Sequence, residues 1–135
     1  MRSRYSRLSL VDQSALSIER SDTPAHLAGL CIIKGEPLLD ATGALDLDMI
    51  KRRLDCRLVR VPALRKVVQT APPLGGAALW IDDPHFSIDR HLLSVRLAPP
   101  GDQATLFRTV ELVLRQLLDR SRPLWELWFF SGLQD

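Results

Sequence analysis

The chain has 135 residues and a mass of 15.2 kDa; 46% of the residues are apolar, 25% are charged, and 18 Lys and Arg face 16 Asp and Glu. That length supports one compact domain rather than two, and ordinary hydropathy with a net charge of only +2 excludes a disordered chain. The longest uncharged run, residues 67–81, contains Pro72, Pro73, Gly75 and Gly76, so no transmembrane helix is expected.

Ser9-Leu10-Val11-Asp12 resembles a capping box, and Val11, Ala15, Leu16 and Ile18 follow, which predicts a helix from about Leu10 to Arg20. His26 to Ile33 is apolar on both alternations and reads as a strand buried on both faces. A turn-rich loop, 34–43, leads to Asp46 and Asp48, which complement the positive end of a helix dipole. Leu47, Ile50, Leu54, Leu58 and Val61 then keep helical spacing while Arg and Lys take the other face. Pro62 and Pro72-Pro73-Leu74-Gly75-Gly76 break the chain. Ala77 to Ile81 is expected as a strand ending at the turn Asp82-Asp83-Pro84, and Ile88 to Leu97 as a second, with His91, Leu93, Val95 and Leu97 on one face. Asp102 caps a long helix whose stripe runs through Leu106, Val110, Val113 and Leu117. Leu124 to Phe130 closes the order as a strand apolar on both faces. Ser131-Gly132-Leu133-Gln134-Asp135 opens like a hairpin turn without a returning strand, which reads as a piece of something longer.

Charge is unevenly placed. Residues 1–66 carry 12 basic and 8 acidic side chains, and residues 67–135 carry 6 and 8. Lys51, Arg52, Arg53, Arg57, Arg60, Arg65 and Lys66 meet only Asp55 as a local counter-charge. Such a face is usually just solvated; as a site it would contact phosphates of a cofactor, of anionic lipid or of nucleic acid, and Arg52, Arg53, Arg57 and Arg60 are its candidates. No aromatic residues are interleaved with it, which disfavours nucleic acid.

His85 and His91 with Asp82, Asp83 and Asp89 form the one His/Asp cluster, but Asp-Asp-Pro is a common turn opening and no ligand spacing fixes a geometry, so no metal is expected. No G-x-S-x-G elbow or nucleotide-binding loop occurs, and neither Cys31 nor Cys56 has a base nearby in sequence. His26 reads as a satisfied structural histidine. The two cysteines lack C-x-x-C spacing and the basic start of the chain is interrupted by Asp12, Glu19 and Arg20 before an apolar segment can form. Reduced thiols without a signal peptide predict a cytoplasmic protein.

Asp119-Arg120-Ser121-Arg122-Pro123-Leu124-Trp125-Glu126 closely resembles the LDRSRPLWE block of the bacterial wax ester synthase/diacylglycerol acyltransferase family, with Pro123-Leu124-Trp125 as its PLW motif. Further blocks fall in the family's order: Leu8-Ser9 with Asp12, then Thr23 to Leu30, then Pro72-Leu74-Gly75 with Trp80 to Phe86. The resemblance implies an α/β fold with a mixed sheet, part of the N-terminal half of a coenzyme-A-dependent, chloramphenicol acetyltransferase-like acyltransferase. It implies acyl-CoA and a lipid alcohol as substrates, no tightly bound cofactor, and a general base in an HHxxxDG motif. None of His26, His85 and His91 is followed by x-x-x-Asp-Gly, so residues 1–135 are expected to be a partial domain inactive without the missing C-terminal portion. Ala15 also stands where the family usually has an aromatic residue. Pro123, Leu124 and Trp125 are expected at the substrate tunnel or an interdomain contact. The residues leave two alternatives open, a basic module that sits on anionic lipid and a truncated gene product without function. The apolar content is compatible with attachment to the inner membrane or to lipid droplets.

Overall fold

A computed structural model describes residues 5–70 and 78–134. The chain forms, in order, β1 (Tyr5–Arg7), α1 (Leu10–Ile18), α2 (Leu47–Leu58), β2 (Lys66–Gln69), β3 (Leu79–Asp82), β4 (Leu92–Arg96), α3 (Gln103–Leu114) and β5 (Leu127–Ser131). β1, β3 and β2 make an antiparallel sheet in that order, with Val67 opposite Ile81 and Tyr5 opposite Ile81 on the other side. β4 and β5 pair in parallel, Leu92 opposite Leu127, with α3 as the crossover between them. The chain is therefore a mixed α/β structure.

The helix starts follow their capping residues. Ser9 accepts from the Asp12 amide at 3.1 Å while Asp12 accepts from the Ser9 amide at 3.1 Å, a reciprocal capping box that satisfies two otherwise orphaned donors. Asp46 caps α2 through the Met49 amide at 2.8 Å, and Asp102 caps α3 through the Thr105 amide at 2.8 Å. α2 buries Ile50 and Leu58 and leaves its arginines in solvent. The described core is thin, comprising Leu8, Ile50, Leu58, Leu92, Leu97 and Leu106 with buried His91 and Thr105.

Five expectations are corrected. Residues 26–33 do not form a strand: they have no regular structure and no strand pairing, with Leu27 fully exposed and Ile32 at 68%. Apolarity on both alternations reports side chains that want cover, not a backbone partner, and no strand lies beside this segment among the described residues. The strand expected from Ile88 begins at Leu92, because Ile88–Arg90 is a 3₁₀ turn whose Arg90 and His91 amides donate locally to the Ser87 and Ile88 carbonyls. α3 ends at Leu114 although the apolar spacing continues to Leu118. β5 begins at Leu127 rather than Leu124, since the Trp125 amide turns back to the Pro123 carbonyl at 2.9 Å. α1 stops at Ile18, two residues before the expected end, and buries nothing within the described fold. β1 and β2 carry no sequence signal; their places come from backbone pairing with β3. The Pro72 to Gly76 break, Ala77 and Asp135 lie outside the described residues.

Two glycines bring the turn before α3 against the turn after β5. Gly101 and Gly132 both take positive φ, +69° and +82°, and a Cβ on Gly101 would overlap the Gly132 carbonyl oxygen. The Gln134 amide then donates to the Gly101 carbonyl at 2.9 Å, so the turn at Gly132 folds back onto the start of the crossover.

Candidate functional site

Part of the apolar surface that the core leaves uncovered, including Leu27, Leu30, Ile32, Ile33 and Leu127, lines one cleft of about 930 Å³. Its walls are α1, through Val11, Ala15 and Leu16, the inner side of α3, the segment 25–33, and the run from Leu124 to Phe130. The volume is at the upper end of the range that encloses small-molecule ligands, and the lining is mostly aliphatic and aromatic. The two runs read as doubly apolar strands, 26–33 and 124–130, are thus opposite walls of the same space.

Few polar groups reach this cleft. Asp12 accepts from the Trp80 indole N–H at 3.4 Å, and hydrogen bonds from the Ser9 side chain and then the Ser9 backbone hold its carboxyl below the ordinary aspartate range. Glu19 is taken up by Arg120, whose guanidinium donates to Glu19 Oε2 at 2.9 Å and to the Leu16 carbonyl at 2.8 Å. His26 Nδ1 is buried and has no hydrogen-bond partner among the described residues, contrary to the expectation of a satisfied structural histidine.

The PLW segment is tied to the fold by its tryptophan. Pro123 is buried and Leu124 and Trp125 are half-buried along the cleft. Trp125 stacks on His91 with centroids 4.4 Å apart, His91 stacks on Phe86 at 5.1 Å, and the Arg65 guanidinium lies 4.7 Å over the Phe86 ring. His91 Nδ1 is 2.8 Å from the Trp125 carbonyl oxygen, and a carbonyl accepts only, so this nitrogen carries the proton. The indole N–H of Trp125 donates to the Leu64 carbonyl at 2.7 Å. One face of the segment thus locks into a four-layer stack, and its neighbours wall the cleft.

His85, on an exposed turn, is not brought into this stack. Among the described residues no group of three or more His, Cys, Asp and Glu is placed to hold a metal ion, and no helix is long and apolar enough to cross a membrane. Arg52, Arg53 and Arg57 do come together, around Cys56 on the outer side of α2; Arg60 is exposed in the turn that follows. Both cysteines are exposed free thiols. The cleft walls contributed by α1, α3 and Trp80 could not be read from the sequence, though exposed apolar residues in α1 were the signal that some cover was missing.

The fold matches a solved wax ester synthase/diacylglycerol acyltransferase from Marinobacter aquaeolei VT8 with a TM-score of 0.68 at 22% identity, over 96% of this chain and 30% of that one. The chain thus carries part of the coenzyme-A-dependent acyltransferase fold. The family model for the wax ester synthase/diacylglycerol acyltransferase catalytic domain matches residues 8–135, and the chain belongs to that family. Two Mycobacterium tuberculosis proteins named as diacylglycerol O-acyltransferases are similar to it. One is 36% identical over 84% of this chain and 23% of its own length, the other 31% identical over 95% of this chain and 45% of its own. The chain spans less than half the length of these relatives.

Proposed function

We propose that residues 1–135 are the N-terminal portion of an O-acyltransferase that moves a fatty acyl group from acyl-CoA to diacylglycerol or a long-chain alcohol, and that the cleft forms part of the channel for a lipid chain. The observation that carries this reading is the apolar cleft walled by the PLW segment in a chain of this family. A long hydrocarbon chain needs an extended apolar wall and few polar groups, and the cleft supplies both.

In the reaction, a base accepts the proton of the acceptor hydroxyl, the oxygen attacks the thioester carbonyl, and the coenzyme A thiolate leaves. No HHxxxDG motif occurs in this sequence to supply that base. His91 does not substitute for it, because its Nδ1 is engaged by the Trp125 carbonyl and its ring is sandwiched between two aromatic rings. The chain by itself is therefore expected to bind lipid chains without turning over, and acyl-CoA acts as substrate rather than resident cofactor. The family's lipid substrates are consistent with work at the surface of the inner membrane or of lipid droplets.

The test is to translate the gene past the codon for Asp135 and to assay both products with acyl-CoA and each alcohol. The expected result is an in-frame HHxxxDG, ester formation by the longer product, and none by residues 1–135. Turnover by residues 1–135 overturns the inactive-portion reading. A longer product that forms no ester, or a stop codon at that point, overturns the enzyme reading and leaves a truncated gene product.

A further inference from the structure

The seven cations between Lys51 and Lys66 are not equivalent in the folded chain. Lys51 is drawn to Asp89, with its ammonium 2.8 Å from the carboxylate and only 19% of its side chain exposed. Arg65 lies over Phe86, and Lys66 is half-buried in β2. Arg52, Arg53, Arg57 and Arg60 remain exposed, and among the described residues none of them forms an ion pair or a side-chain hydrogen bond.

Helical spacing sets their arrangement. Arg53 and Arg57 are one turn apart, Arg52 and Cys56 likewise, so three arginines and Cys56 line one shallow depression. Asp55 falls on the flank away from Arg53 and Arg57 and does not line the depression. Arg53 and Arg57 carry like charge one turn apart, and neither has an ion-pair partner among the described residues. The turn after α2, closed by the Arg60 and Val61 amides on the Arg57 and Leu58 carbonyls, continues the outer stripe. It adds Val59 at 66% exposure, in line with Arg52 and Cys56, and Val61 at 46%.

We propose that this outer face of α2, from Arg52 to Val61, is a docking surface for an anionic lipid bilayer, with the guanidinium groups on the phosphates and the two valines in the headgroup boundary. Charge complementarity is the first reason: four unpaired cations on one face attract a surface of negative headgroups. Shape is the second. Residues 52 and 60 lie about 12 Å apart along a helix, which is too wide for one phosphate, and the depression between them is shallow. The exposed valines are the third, because a site for a soluble anion has no use for aliphatic side chains at its rim, whereas a membrane interface takes up both kinds of group. This surface exists whether or not the cleft takes part in acyl transfer.

The test is co-sedimentation of the chain with vesicles of phosphatidylcholine alone and of phosphatidylcholine mixed with phosphatidylglycerol. Binding is expected only to the anionic vesicles, and it should fade as salt shortens the screening length from about 10 Å at 0.1 M to about 3 Å at 1 M. R52Q, R53Q and R57Q should each lower partitioning roughly fivefold. V59S should weaken it at every salt concentration. A charge-matched triple variant at the exposed Arg90, Arg96 and Arg115 should lose much less, which separates the face from net charge. Circular dichroism checks that each variant is folded. Salt-insensitive binding, equal binding to neutral vesicles, or equal losses from this control and from R52Q, R53Q and R57Q combined in one triple variant would overturn the proposal. So would release from the vesicles by inorganic phosphate or coenzyme A together with saturable binding of that anion to the chain alone, which would assign the arginines to a free phosphate group.

Discussion

The indole N–H of Trp125 reaches the backbone carbonyl of Leu64 at 2.7 Å, 61 positions back along the chain, while the Trp125 ring stacks on His91. The PLW tryptophan is thus a tie between β5 and the turn that precedes β2. W125F keeps a ring for the stack and removes the donor, which leaves the Leu64 carbonyl without this partner; the expected loss is about 1–2 kcal/mol. W125A also removes the ring and should cost about 3 kcal/mol or more. Urea unfolding followed by circular dichroism measures both, and equal midpoints for W125F and the wild type would show that the hydrogen bond adds nothing.

Arg120 and Glu19 meet across 101 positions, with the Glu19 side chain only 9% exposed. The same guanidinium caps the end of α1 at the Leu16 carbonyl. A lysine cannot serve both acceptors from one planar fork, so R120K should recover little of what R120A loses. A double-mutant cycle of R120A with E19Q should give a coupling of about 1 kcal/mol, partly screened because Arg120 is 46% exposed. Additive losses would mean that the pair is held together by the surrounding fold and contributes no net stability.

Gly101 and Gly29 make opposite predictions for the same substitution. Alanine at Gly101 meets both a positive φ and the Gly132 carbonyl, and G101A should destabilise by about 2 kcal/mol or more. Nothing lies within 4 Å of the Cβ position at Gly29, so G29A should stay within about 0.5 kcal/mol of the wild type. Thermal unfolding of the two variants side by side distinguishes them, and a neutral G101A would contradict the close approach of the turn before α3 to the turn after β5.

Five aspartates among the described residues, Asp12, Asp40, Asp89, Asp102 and Asp119, have carboxyls below the ordinary value, and three of them serve to link stability to pH. The Ser9 side chain at Asp12, the Thr105 side chain at Asp102 and the Ser121 side chain at Asp119 are the leading causes that lower each carboxyl below the ordinary value. A carboxyl lowered in the folded state contributes fully above its unfolded value, and the contribution disappears as pH falls through the folded one. Stability should therefore hold from pH 7 to about 5 and decline below about 4. D102N keeps a capping side chain and should flatten part of that decline. The check is the denaturant midpoint against pH; an unchanged acid slope in the triple variant D12N, D102N and D119N would remove these groups from the account.

Local chemistry was the legible part of this fold. The Ser9–Asp12 box, the Asp102 cap and the apolar side of α2 at Ile50 and Leu58 follow from residue types at fixed offsets, and the structure places them as expected; Asp46, expected to complement the helix dipole, is the cap of α2. Pairing was less legible: Tyr5-Ser6-Arg7 has no apolar alternation, yet it adds to β3 because β3 has a free edge to offer. The run at 26–33 shows the reverse error, strong patterning without a neighbouring strand. At the site, Trp125 could be found from the PLW motif. The sandwich of His91 between Phe86 and Trp125 could not, since stacking order depends on a turn at Ile88–Arg90 that period-two reasoning extends straight through. Likewise Arg60 looks equivalent to Arg65 in sequence, and only the position of Phe86 separates them.

The clamp of Arg120 on Glu19 also sets an order of events in the cell. A ribosome adding about 5–20 residues per second needs roughly 5–20 s to travel the 101 positions between them. During that interval Ala15 and Leu16 of α1 have neither the guanidinium that caps their helix nor the 124–130 run that lines the cleft with them. The amino-terminal helix therefore gains its cap and its partner across the cleft only once the PLW block has emerged.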